Sequence, residues 1–156
     1  MFTDIPAAIR FETGSVSLLR EMLECRKHFP VFSPEVFEFL SLWASEIRSL
    51  PRAELTSALG AFAFWCRPNS INEMSRHYEA LKHFTGRGIC LQFVPSNIPA
   101  LFAYSLAAAL LAGNSVIIRL SDRLGGETES FIKTLKKVLE ERPEWKRRIV
   151  LIRYGH

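Results

Sequence analysis

The 156-residue chain has no glycine-rich phosphate loop. None of its eight glycines forms a GxGxxG pattern, and Gly86-Arg87-Gly88 precedes an apolar segment instead of following one. The dinucleotide fingerprint needs its glycines after a strand, at the opening of a helix. The three cysteines, Cys25, Cys66 and Cys90, have neither metal-ligand spacing nor an even number. That argues against a disulfide framework and fits reduced thiols in a cytoplasmic protein. His28, His77, His83 and His156 show no acid–base or metal pairing. The start, MFTDIPAAIRFETGS, lacks the basic and apolar segments of a secretory signal.

No charge falls between residues 98 and 118, but Pro99, Gly113, Asn114 and Ser115 interrupt the run. Its helical part, from Pro99 to Leu111, would reach about 20 Å, short of the about 30 Å of a bilayer core. A buried soluble helix is expected, and no membrane span. The net charge is +4, much of it from Lys133, Lys136, Lys137, Arg142, Lys146, Arg147 and Arg148. This stretch reads as a solvated helix face with its exit loop. With no RNA-binding aromatic motif and no basic recognition helix, no nucleic-acid partner is expected.

Hydrophobic residues make up 48% of the chain, which excludes disorder. Residues 1–85 read as a helical region. Leu19, Met22 and Leu23 share a face, Ser33-Pro34 opens a second helix, and Val36, Leu40, Trp43 and Ile47 follow at helical spacing. Leu55, Leu59 and Phe62 mark a third helix. Ser70 and Glu73 have capping-box spacing for a fourth, lined by Met74, Tyr78 and Leu81.

Residues 86–156 change period. Arg87 to Val94 suits a strand, Pro99 to Gly113 a helix, and Ser115 to Arg119 a strand covered on both faces. Gly125-Gly126 introduces a helix with Phe131, Leu135 and Val138 inside and lysines outside; Pro143 ends it, and Ile149 to Tyr154 is a third strand. The fold class is α/β. A helical front is followed by a β-α-β-α-β portion of a parallel, Rossmann-like sheet with right-handed crossovers. As read, the last strand has no partner on its outer edge, so the sheet is unfinished and poor solubility is expected.

Two features carry chemistry. The turn Pro95-Ser96-Asn97-Ile98-Pro99 holds a side-chain amide between prolines. Asn97 could donate to a carbonyl oxygen that becomes an oxyanion, or simply cap the following helix. Arg119 ends the second strand, before Leu120-Ser121-Asp122. Its guanidinium could hold phosphate or ribose oxygens, or pair with a nearby carboxylate. Both lie at the carboxyl ends of parallel strands, where open α/β sheets bind ligands.

The combination G-x-C-x-Q-x-x-P-x-N-x-P, then A-A-L-L-A-G-N-S-V-I-I, then a basic residue and Ser-Asp, resembles the aldehyde dehydrogenase superfamily. Within it, the chain is most similar to the bacterial Lux-type long-chain acyl-CoA reductases, the reductase component of the bioluminescence fatty acid reductase complex. Phe64-Trp65-Cys66-Arg67-Pro68-Asn69-Ser70-Ile71 and Ile152-Arg153-Tyr154-Gly155-His156 also look like that branch.

The resemblance implies an oxidoreductase that reduces a long-chain acyl thioester to a fatty aldehyde with hydride from NADPH. It assigns Phe93, Val94, Pro95 and Ser96 to the nicotinamide-side wall. Asn97 becomes the donor to the thioester carbonyl oxygen. Arg119, Ser121 and Asp122 hold the adenosine ribose and its phosphate. It also implies an acyl-CoA or acyl-protein thioester substrate, an acyl-protein synthetase partner and a homo-oligomeric intact enzyme.

Departures from the pattern are informative. Ser96 stands where most of the superfamily has Trp, Arg119 replaces Lys, Leu120 replaces Pro and Asp122 replaces Glu. The Arg fork suits a 2′-phosphate, so NADPH is expected in preference to NADH. Family chemistry also needs a thiolate nucleophile. Cys90 falls in a buried strand and Cys66 at a helix end, so neither is expected to serve. The chain is therefore read as an N-terminal portion, inactive alone, with no metal site. The alternatives are a free-aldehyde or semialdehyde dehydrogenase relative, or a non-catalytic module that needs a partner to complete its sheet.

Overall fold

The computed structural model describes residues 9–25, 27, 29–95, 98, 100–121 and 125–154. The order of elements is β1 (Arg10–Thr13), α1 (Val16–Glu24), α2 (Pro34–Arg48), α3 (Ser57–Trp65), α4 (Pro68–His77), β2 (Ile89–Phe93), α5 (Leu101–Leu111), β3 (Ser115–Leu120), α6 (Gly126–Glu141) and β4 (Ile149–Arg153). Short 3-10 turns at Glu79–His83 and Pro143–Arg147 precede β2 and β4.

The architecture is α/β, with a four-stranded mixed sheet in the order β1-β4-β3-β2. β2, β3 and β4 run parallel, and β1 lies antiparallel on β4. This corrects the expectation of an all-helical front. It also corrects the unpaired outer edge of the last strand, because β1 covers it. A register shift falls between Phe11 and Thr13. There the Thr13 hydroxyl accepts from the Leu151 N–H at 2.9 Å and donates to the Ile149 carbonyl at 3.4 Å.

Helices cover the two faces unequally. On one face α2, α3, α5 and α6 bury Val116, Ile118, Leu120, Ile149 and Leu151. Phe62 is a hub of that core, with ring centroids 4.7 Å from Trp43, 5.1 Å from Tyr104 and 5.4 Å from Phe131. On the other face Met22 and Leu19 of α1 cover Ile117, Val150 and Ile152. On this face Leu91 and Phe93 of β2 remain 58% and 65% exposed. Burial on both faces explains the unbroken apolar run of β3.

The uncharged run from 98 to 118 resolves into α5 and β3. No helix among the described residues is long and apolar enough to cross a membrane. Phe131, Leu135 and Val138 of α6 face inward as expected. Lys133, Lys136 and Lys137 face outward and meet Glu54, Glu12 and Glu46. Arg148 departs from the solvated reading of its stretch, since it is buried at the start of β4.

Two details of the front also differ. α4 begins at Pro68 after Arg67, so Ser70 is inside the helix and donates to the Phe64 carbonyl instead of capping. α4 stops at His77, which leaves Tyr78 and Leu81 exposed instead of lining a core.

The Ala-Gly-Asn stop after α5 has a structural purpose. Gly113 adopts φ +77, and a Cβ there would stand 2.3 Å from the Phe29 carbonyl oxygen. Glycine alone tolerates both conditions. The next residue, Asn114, accepts from the Arg87 and Gly88 N–H groups at 2.8 and 3.2 Å. It thereby fastens the start of β2 to the start of β3.

Candidate functional site

Parallel pairing brings the carboxyl ends of β2, β3 and β4 to one side of the sheet. Phe93 lies in register with Arg119, and Arg119 with Ile152, so the three share a face. The next residue, Val94, turns to the buried side, and its N–H donates to the Arg119 carbonyl at 3.2 Å. Pro95 follows, exposed, and Ser121 is half-buried beyond β3.

Of the residues expected to form the site, the fold therefore gathers Phe93, Val94, Pro95, Arg119 and Ser121 around one strand mouth. Ser96, Asn97 and Asp122 lie outside the described residues.

Arg119 is half-buried and held from one side. Its Nη2 donates to the Tyr154 carbonyl at 3.2 Å, and its guanidinium lies 5.0 Å from the centroid of the Tyr154 ring. The Nε is buried and has no hydrogen-bond partner among the described residues. Among the described residues, the groups that orient this cation are an uncharged carbonyl and a ring.

Sequence reading missed Tyr154 as the partner of Arg119. Its only signal was its place at the exit of the neighbouring parallel strand. Gln92 was missed as well. It donates to the Ser105 carbonyl at 3.1 Å and ties β2 to α5 below the mouth.

The thiols differ in burial, and Cys90 corrects the expectation of a buried strand, since no residue of β2 is buried. Cys66 is fully buried against the main core, and burial pushes its pKa far up despite the nearby Arg48 charge. It is a protonated packing residue at neutral pH. Cys90 is half-buried within β2. All three cysteines are free. Among the described residues no His, Cys, Asp and Glu cluster could hold a metal ion.

Residues 21–154 match the family described as acyl-CoA reductase (LuxC). The chain belongs to the LuxC acyl-CoA reductase family. No curated protein and no solved structure matches it. The family match begins inside α1 and ends at Tyr154, so it takes in every element of the strand mouth. β1, which closes the sheet, lies before it.

Proposed function

We propose that this LuxC-family chain supplies the cofactor-side wall of an NADPH-dependent reductase that converts a long-chain acyl thioester to a fatty aldehyde. The observation that carries the reading is Arg119. In a chain of an acyl-CoA reductase family, it is a cation at a strand mouth, steadied by Tyr154, with a buried Nε that has no hydrogen-bond partner among the described residues. Such a group fits a phosphate ester better than water does, because a planar fork matches phosphate oxygens.

On this reading Arg119, with Ser121 and Asp122, holds the adenosine ribose and its 2′-phosphate. Phe93, Val94, Pro95 and Ser96 form the wall beside the nicotinamide, and the exposed Phe93 ring offers it a flat apolar surface. Asn97 donates to the thioester carbonyl oxygen as negative charge develops there. The bound coenzyme supplies the hydride. The thiolate that receives the acyl group is assigned to none of Cys25, Cys66 and Cys90.

These roles rest on the sequence resemblance to the cofactor domain of aldehyde dehydrogenases. The intact enzyme is proposed to be cytoplasmic and homo-oligomeric, and to take its acyl group from acyl-CoA or from an acyl-protein synthetase.

The test is calorimetric titration of the chain with NADPH and NADH. NADPH should bind more tightly, and Arg119→Met should erase that difference while leaving the NADH affinity nearly unchanged. Equal affinity for the two coenzymes in the unaltered chain would overturn the NADPH assignment. In the intact enzyme, turnover of free aldehyde but not of acyl-CoA would replace the thioester reading with the free-aldehyde one.

A further inference from the structure

A cavity of about 540 Å³ opens at the end of the sheet opposite Arg119, where β3 and β4 begin. Arg148 lines it, only 7% exposed. Its guanidinium lies against two rings, 3.7 Å from the Phe29 centroid and 4.7 Å from that of Trp145. Nη2 donates to the Asn114 carbonyl at 3.1 Å, and Nε is buried without a hydrogen-bond partner. Its partners among the described residues are thus one carbonyl and two rings. A buried cation with no ion-paired carboxylate among the described residues is costly to keep. Lys27 adds a second cation, its Nζ 5.3 Å from the same Phe29 ring.

The same cavity receives the start of α2. Glu35, the second residue of that helix, is exposed and lines the cavity with Ser33. Its carboxylate accepts from its own backbone N–H and from the Ser33 hydroxyl, and the charges of Arg148 and Lys27 act on it. These contacts, the backbone one foremost, hold its pKa below the ordinary carboxylate range. The start of α2, a buried guanidinium, an ammonium and the Glu35 carboxylate therefore line one cavity. Glu35 is an anion that the chain itself brings to this cavity, on an exposed residue.

We propose that this cavity binds a small organic carboxylate. Its anionic group takes the place of the Glu35 carboxylate before Arg148, Lys27 and the first turn of α2. Its hydrocarbon part lies against Phe29, Pro30 and Trp145. Glu21, itself paired with Arg147 at 3.2 Å, and Glu144 also line the cavity. Their charge favours a singly charged ligand over phosphate. The site is separate from the Arg119 mouth, so its fate does not depend on the coenzyme reading.

Calorimetric titration of the chain with hexanoate, hexan-1-ol and inorganic phosphate tests the proposal. Hexanoate should bind saturably, more tightly than phosphate, and hexan-1-ol should not bind. Glu35→Gln removes the tethered competitor and should strengthen hexanoate binding by about fivefold or more, since the competent fraction of the site rises. Arg148→Met should abolish binding. Should that variant fail to fold, Lys27→Gln, at an exposed position, should weaken binding several-fold. The proposal is overturned if hexanoate binds neither the unaltered chain nor Glu35→Gln, or if Glu35→Gln leaves its affinity unchanged or lower. It is equally overturned if hexan-1-ol or phosphate binds as tightly as hexanoate, or if the folded Arg148 or Lys27 variant binds as the unaltered chain does.

Discussion

Arg153 Nε stands 2.9 Å from Glu12 Oε1, and this pair joins the last parallel strand to the antiparallel one. The Arg153 side chain is 5% exposed and that of Glu12 13%, so the bond is shielded from water. Lys136 of α6 reaches the same carboxylate at 2.8 Å, and Glu129 gives Arg153 a second partner. β1 is thus fixed by charge as much as by its backbone ladder.

Glu12→Gln should destabilise the chain by about 3 kcal/mol. That is the lower end for removing one partner of a buried ion pair, because Glu129 still faces the guanidinium. Urea unfolding at pH 7 measures it. A loss under about 0.5 kcal/mol, the scale of an exposed pair, would show that the pair is solvated.

The same carboxylate should shape acid unfolding. Burial alone would raise its pKa, but the hydrogen bond and charge of Lys136, with the charges of Arg153 and Arg10, outweigh burial and leave it below the ordinary 4.5. A depressed folded pKa means that the contribution is complete above the unfolded value and is lost as pH falls through the folded one. The stability gap between the unaltered chain and Glu12→Gln should be constant from pH 7 to about 5 and should narrow steadily below about 4. Urea midpoints across that range will show it. A gap that widens on acidification would contradict the network.

Gly113→Ala should cost at least about 2 kcal/mol, from the left-handed backbone and the encounter with the Phe29 carbonyl. Gly60 provides the contrast. It lies within α3, where a Cβ would meet nothing within 4 Å. Gly60→Ala should therefore stabilise by about 0.5–1 kcal/mol. Thermal melts of the two variants should move in opposite directions.

Thiol chemistry should follow burial. Iodoacetamide at pH 8, read by mass spectrometry, should label the exposed Cys25 first and leave Cys66 unmodified until the chain unfolds. Rapid native labelling of Cys66 would mean that the α3 core opens easily.

Much of this architecture could be read from the residues. The period of Phe131, Leu135 and Val138 gave the inner face of α6, and the β-branched run of β3 gave a strand buried on both sides. β1 was hidden for a physical reason. Arg10-Phe11-Glu12-Thr13 is only four residues long and bears two charges, as edge strands often do. Its partner lies far along the chain, so no local pattern marks it. Ser70 and Glu73 misled because Pro68 starts α4 two residues earlier, where proline is well accommodated. Arg148 looked like one more solvated base, since nothing nearby in sequence announces the rings of Phe29 and Trp145. At the strand mouth, Arg119 stood out through its position after an apolar strand. Tyr154 did not, because its contact depends on which strands become neighbours.

The pairing of β1 with β4 has a consequence for biosynthesis. The Thr13 hydroxyl and the Leu151 N–H that meet there are 138 residues apart in the chain. At ribosomal speeds of roughly 5–20 residues per second, the first strand emerges on the order of ten seconds before the one it will join. Until then its phenylalanine and charges remain unclaimed. Closure of the sheet waits for the strand that β1 will join, and helices formed in the meantime must leave room for it.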